Sequence, residues 1–163
     1  MHAIHSSKRP LMTVLALLAF ALAGSLRAGE REIFPPPERA EADIAAALQS
    51  AAATHKRVVL DFGGNWCVDC QALDIFLHDA ANRQILEANY VLVHVNIGQM
   101  DRNLDIATRY AIPISKGVPA LAVLDEHGGL LYSQRTGEFE AMSRMRSKAV
   151  TSFLEQWKPA NQG

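Results

Sequence analysis

Apolar positions along this chain change period repeatedly, and each change marks an element. Over residues 38–54, Ala40, Ile44, Ala47, Leu48 and Ala51 recur at helical spacing on an Ala-rich background, which predicts a surface helix. Residues 57–62 form a short, nearly continuous apolar run, the pattern of a strand covered on both faces, and Gly63-Gly64-Asn65 reads as the turn after it. Leu73, Phe76 and Leu77 then share one face of a helix predicted over residues 67–79, with a further helical turn or two over residues 83–88. Residues 90–97, rich in β-branched side chains, give the strongest strand pattern, and residues 102–110 read as a short helix stopped by Pro113. Two more strands, 119–124 and 130–134, flank the hairpin signal Asp125-Glu126-His127-Gly128-Gly129. A last amphipathic helix is predicted over residues 138–157, ended by Pro159. The order α, β, α, β, α, β, β, α describes one α/β domain without internal repeats.

The chain's start follows a different logic. Lys8 and Arg9 precede an apolar run over residues 11–23 and then small residues, the layout of a secretory signal peptide. The run is short against the roughly 20 apolar residues a membrane span needs. Ala21-Leu22-Ala23 offers one cleavage point and Ala28 another, with an uncleaved membrane anchor as the alternative reading. The expected organisation is a signal peptide over residues 1–28, an extended Pro-rich lead-in over 29–37, a domain over 38–158 and a tail over 159–163. Lys8-Arg9 is not a twin-arginine pair, so Sec-type export to the periplasm is expected, with no membrane span after cleavage.

Without the leader the chain keeps 13 basic and 17 acidic side chains, a formal charge near −4. No basic patch stands out, so no nucleic acid partner is expected. A chain of this length, 163 residues with its leader, can bury a full core without disulfide staples. Its only two cysteines nevertheless stand together in Trp66-Cys67-Val68-Asp69-Cys70. A bridge across so short a loop removes little chain entropy, so the pair reads as redox chemistry before it reads as structure. A four-ligand zinc site would need further Cys or His at ligand spacing, and His55, His78, His94 and His127 are scattered. No metal site and no bound cofactor are expected. Soft thiolates also hold Cu(I), so a metallochaperone module is the rival from another class, although no Met-rich or His-rich segment accompanies the thiols.

Three landmarks, Leu60-Asp61-Phe62, Trp66-Cys67-Val68-Asp69-Cys70 and Gly117-Val118-Pro119-Ala120, give the chain a resemblance to the thioredoxin family over most of residues 41–157. It is most similar to small exported bacterial members with an N-W-C-x-D-C segment. The resemblance implies a thioredoxin-like fold, a central mixed β-sheet flanked by helices, and a thiol-disulfide oxidoreductase acting on disulfide-containing proteins. Cys67 would be the nucleophile at a helix N-terminus and Cys70 the resolving thiol. Asp61 matches the family's buried acid, which would exchange the Cys70 proton; strand pattern alone favours a solvent-facing Asp. His94 stands where the family often carries a Lys, either supporting that relay or simply facing solvent. Trp66 would be an apolar contact beside the nucleophile or a core Trp. Pro119 would be the family's cis proline, with Val118 offering its backbone to substrate, or only the start of a strand.

Two departures qualify the likeness. Val68-Asp69 replaces a Gly-Pro pair, and residues 112–117 form a longer approach to Pro119. Asp69 would oppose the Cys67 thiolate and tune the pair toward reduction of disulfides, which needs a membrane electron donor. A disulfide oxidase or isomerase is the rival within the same chemistry.

Overall fold

A computed structural model describes residues 31–160 of the chain. The expected leader with its cleavage point and the last residues of the tail lie outside that range. Four strands form one mixed sheet: β1 (Arg57–Gly63), β2 (Tyr90–Asn96), β3 (Ala120–Leu124) and β4 (Leu130–Ser133), in the order β2-β1-β3-β4. β1 runs parallel to β2, antiparallel to β3, and β3 antiparallel to β4. Five helices cover it: α1 (Ala40–Thr54), α2 (Val68–Leu77), α3 (Ala80–Asn89), α4 (Leu104–Arg109) and α5 (Ser147–Trp157).

The uninterrupted apolar run of β1 follows from this layering. Val58, Leu60 and Phe62 join the core under α1 and α4, whereas Val59 joins the core formed with α2, α3 and α5. Ile44, Ala47 and Ala51 are the buried stripe of α1, as the helical spacing requires. On the other face Phe153 of α5 meets Tyr132 and Phe139 edge-on, with ring centroids 5.5 and 5.4 Å apart.

Several boundaries move for identifiable reasons. Gly63 is the last residue of β1 and not part of the turn, because its backbone continues the ladder beside Asn96. The helix expected over 67–79 ends at Leu77, and Asp79 caps a separate helix, α3, accepting from the Asn82 amide at 2.9 Å. The helix expected to begin at Arg102 begins at Leu104, after Asn103 in the left-handed region. The single last helix expected over 138–157 is not formed. Met145 and Arg146 are extended, α5 starts at Ser147, and a 3-10 turn over Met142–Arg144 buries Met142 in the core. Amphipathic spacing cannot distinguish that turn from a helix when Phe139 and Met142 lie three residues apart in both.

Asn82 ties α3 to α5. It is fully buried; its amide donates to Phe76 O at 2.8 Å and to Ser147 Oγ at 2.9 Å, and its carbonyl accepts from Thr151 Oγ1 at 2.7 Å. Asn82→Ala removes these three hydrogen bonds while Ser147 Oγ keeps its bond to Asp79 and Thr151 Oγ1 its bond to Ser147 O, so the cost is that of the bonds themselves, about 0.5–1.5 kcal/mol each. The expected outcome is a loss of about 2–4 kcal/mol, read as a lower urea midpoint with an unchanged slope. A midpoint equal to wild type would show that water replaces the amide.

Candidate active site

The cysteine pair sits where β1 hands the chain to α2. Cys67 is the N-cap of α2, and its sulfur accepts from the Cys70 amide at 3.1 Å. The two sulfurs are joined in a disulfide with Cα atoms 5.2 Å apart. A helix N-terminus leaves N–H groups without intrahelical partners, so the position favours a sulfur that carries negative charge. Cys70 is fully buried, and Cys67 keeps a small exposed fraction of 6 %. Cys67 Sγ lies 3.6 Å from Val118 O, and the Val118–Pro119 peptide is cis. Trp66, 40 % exposed, stands beside this pair and is not a core residue; its indole N–H donates to Gly98 O at 2.6 Å.

Beneath the disulfide lies a carboxylate. Asp61 and Gly63 point to the same face of β1, two residues apart. A Cβ at Gly63 would come within 2.7 Å of Cys70 Sγ, so Asp61 is the next side chain along the face that carries Cys70. Asp61 is fully buried and not turned to solvent. Its Oδ2 meets His94 Nδ1 at 3.0 Å across the β1–β2 register, and among the described residues its Oδ1 has no hydrogen-bond partner. Burial pushes the Asp61 carboxyl above its ordinary range, and the bond to His94 opposes that shift without cancelling it. At His94 burial disfavours the charged ring, but the Asp61 hydrogen bond and the nearby carboxylates outweigh it and lift the imidazole above its ordinary value. Each group of the pair thus holds its proton to a higher pH than it would in water.

Residues not singled out by sequence patterns complete the site. Asp74, 4 % exposed, lies 3.9 Å from His94 Nε2, pairs with Arg31 and sits 3.1 Å from His78 Nδ1. Gln134, 1 % exposed, donates to Pro119 O at 3.1 Å and accepts from the Leu121 amide at 3.2 Å, bracing the loop that faces Cys67. Asn65 binds the backbone of the segment before α1: its Oδ1 accepts from the Ile33 and Phe34 amides at 2.8 and 2.9 Å, and its Nδ2 donates to Phe34 O at 3.0 Å. A buried polar residue at the end of an apolar run was the signal available for Gln134. Asp74 carried only its helical spacing from Cys70. Asp69, expected to tune Cys67, spends a carboxylate oxygen on the Ser143 amide at 2.7 Å, so it also docks the Met142–Arg144 turn. Among the described residues no group of three or more His, Cys, Asp or Glu is placed to hold a metal ion.

Comparison with known proteins gives a concordant set. The family described as Thioredoxin-like matches residues 39–126. The crystal structure of a disulphide isomerase from Xylella fastidiosa Temecula1 is 32 % identical, has a TM-score of 0.70, and is matched over 76 % of this chain and 95 % of its own. The thiol:disulfide interchange protein DsbD of Pseudomonas fluorescens is 31 % identical over 126 residues, which is 73 % of this chain but 19 % of that much longer protein. The germline-specific thioredoxin Deadhead of Drosophila melanogaster, at 18 % identity and a TM-score of 0.51, covers 73 % of this chain and 95 % of its own and shares the fold.

The raised pKa values of Asp61 and His94 set a sign for pH dependence. Both groups release their protons later in the folded protein than in the unfolded chain, where the ordinary values are 3.8 and 6.5. From about pH 4 upward the folded state thus binds more protons, and the pair's contribution to stability is lost as pH rises through the folded values. Asp61→Asn removes the carboxyl's part of that slope, so its stability relative to wild type should increase as pH rises above about 4 in urea titrations. A difference independent of pH would mean that the pair's protonation is unchanged by folding.

Proposed function

The chain belongs to the thioredoxin-like family, and we propose that it is a thiol-disulfide oxidoreductase that reduces disulfides of exported proteins through Cys67 and Cys70. The observation that carries this reading is the asymmetry of the pair: Cys67 accepts a helix N-terminal N–H and keeps a small exposed fraction, and Cys70 is fully buried on the face that carries Asp61.

In the reduced protein the Cys67 thiolate attacks one sulfur of a substrate disulfide, forming a mixed disulfide and releasing the other substrate sulfur as a thiolate. Cys70 then gives its proton to the free Oδ1 of Asp61, attacks Cys67 Sγ and expels the second substrate thiolate. The balance is two electrons to the substrate disulfide and one disulfide formed between Cys67 and Cys70. His94 holds Asp61 from behind and takes up the charge as the proton moves. An extended substrate segment lies along Val118, whose carbonyl already faces Cys67, with Trp66 as the apolar contact and Pro119 held by Gln134.

Export is supported by the leader-like residues 1–28, and the place of work we assign is the periplasm. Among the described residues no helix is long and apolar enough to cross a membrane. A reductase there draws its two electrons from a membrane donor, since that compartment is kept oxidising. The reducing direction is supported by two carboxylates, Asp61 beneath Cys70 and Asp69 in the first turn of α2, which disfavour thiolate and with it the reduced form. The name of the Xylella relative favours a second reading, disulfide isomerisation by the same pair.

Two measurements test these assignments. Cys67→Ser should abolish mixed-disulfide formation, whereas Cys70→Ser should accumulate the covalent complex with substrate; the reverse pattern would exchange the two roles. Equilibration with glutathione should place the potential nearer the roughly −270 mV of thioredoxin than the roughly −120 mV of a strong oxidant. A value near the oxidant end would overturn the reducing direction.

A further inference from the structure

The segment before α1 is bonded to the active site rather than merely leading to it. Between residues 31 and 35 its backbone is gripped at four points by side chains of the site region. Gln71 donates to Arg31 O at 3.1 Å, Asn65 pairs with Ile33 and Phe34 as described above, and Asn96 donates to Pro35 O at 2.8 Å. An asparagine that both accepts from and donates to one residue's main chain acts as a one-residue strand partner. This grip seats the Phe34 ring, only 3 % exposed, in a specific place. Its edge would be met at 2.7 Å by a Cβ at Gly63, the same point that lies 2.7 Å from Cys70 Sγ, and its face lies edge-on to His94 at 5.0 Å.

We propose that residues 31–36 form a strap that walls Cys70 and Asp61 off from solvent on the side of the partly exposed His94, with Asn65 and Phe34 as positioning residues for proton transfer from Cys70. The proposal rests on the reading of Asp61 as the acceptor of that proton. Desolvation is what holds the Asp61 carboxyl high, and a ring that keeps water out maintains it. The charged and titratable groups facing the pair come from every neighbouring element: Asp61 on β1, His94 on β2, Asp74 and His78 on α2, and Arg31 on the strap itself. Arg31 makes the coupling two-way, because its ion pair with Asp74 forms only when the strap is seated. Unseating it leaves Asp74 with only His78 and His94 beside it. Asn65 thereby acquires a role that the CxxC motif alone does not give it.

The test is the pH profile of mixed-disulfide resolution in single turnover, measured on the full chain for wild type, Asp61→Ala, Phe34→Ala, Asn65→Ala and Phe34→Leu. Wild type should show one inflection that Asp61→Ala removes. Phe34→Ala and Asn65→Ala should retain it at a pH about one unit lower, equivalent to about a tenfold change in the ionised fraction at fixed pH. Phe34→Leu, which restores an apolar wall, should return it to the wild-type position. A merely structural strap would lower thermal stability in the first two variants and leave the inflection in place, and that result overturns the proposal. An inflection that survives in Asp61→Ala instead removes Asp61 as acceptor, and the strap's role falls with it. Should either alanine variant not fold, hydrogen exchange on the wild-type chain decides. The Ile33 and Phe34 amides, both bonded to Asn65, should be as protected as those of β1, and rapid exchange there would overturn the strap.

Discussion

A carboxylate inside a sheet, with one oxygen bonded to a histidine and the other bonded to nothing among the described residues, is the group around which this fold is arranged. Its burial is unfavourable by ordinary rules, and natural cores pair or hydrate such groups. Each neighbour of Asp61 can be understood as a response. His94 takes one oxygen, and Asp74 with Arg31 and His78 extends the charge network outward to the surface. Gly63 gives up its side chain so that Cys70 and Phe34 can close on the same point. A group this costly to keep, with an oxygen left without a partner on the face that carries Cys70, is the observation on which the proposed acceptor role rests.

The same constraint explains why the two cysteines differ although only two residues separate them. One sulfur is the cap of a helix and borrows the unpaired N–H groups of its first turn. The other lies three residues further along the same first turn, fully buried, on the face of β1 that carries a carboxylate. Local backbone geometry thus gives the two sulfurs different surroundings: one caps the helix with a small exposed fraction, and the other is fully buried.

Much of this was legible in the sequence. The four strands and the helices around them follow from the change of apolar period, because β1 is covered on both faces and α1 on one. The cysteine pair was visible as the only CxxC, whereas Asp61 was picked out by the family resemblance, since strand pattern alone favoured a solvent-facing acid. What escaped was set by tertiary contact. Phe34, in a Pro-rich stretch without periodicity, gives no sign that its ring will be buried against a histidine sixty residues away. Asp74 looks like any acid on a helix until β2 brings His94 beside it. The turn at Met142–Arg144 has helical spacing, and only the bond from Ser143 to Asp69 reveals that it docks on α2. Asp69 therefore serves a packing contact that no local reading of its charge contains.

β1 is bonded on both sides along most of its length, to β2 from Arg57 to Gly63 and to β3 from Val58 to Phe62. The strand that delivers the chain to Cys67 is therefore hydrogen-bonded to a neighbour on each side, while the chemistry at its end alternates between one covalent bond and two thiols. Opening that bond leaves the pairing of the sheet behind it untouched, which confines the difference between the two states to the sulfurs and the groups that touch them.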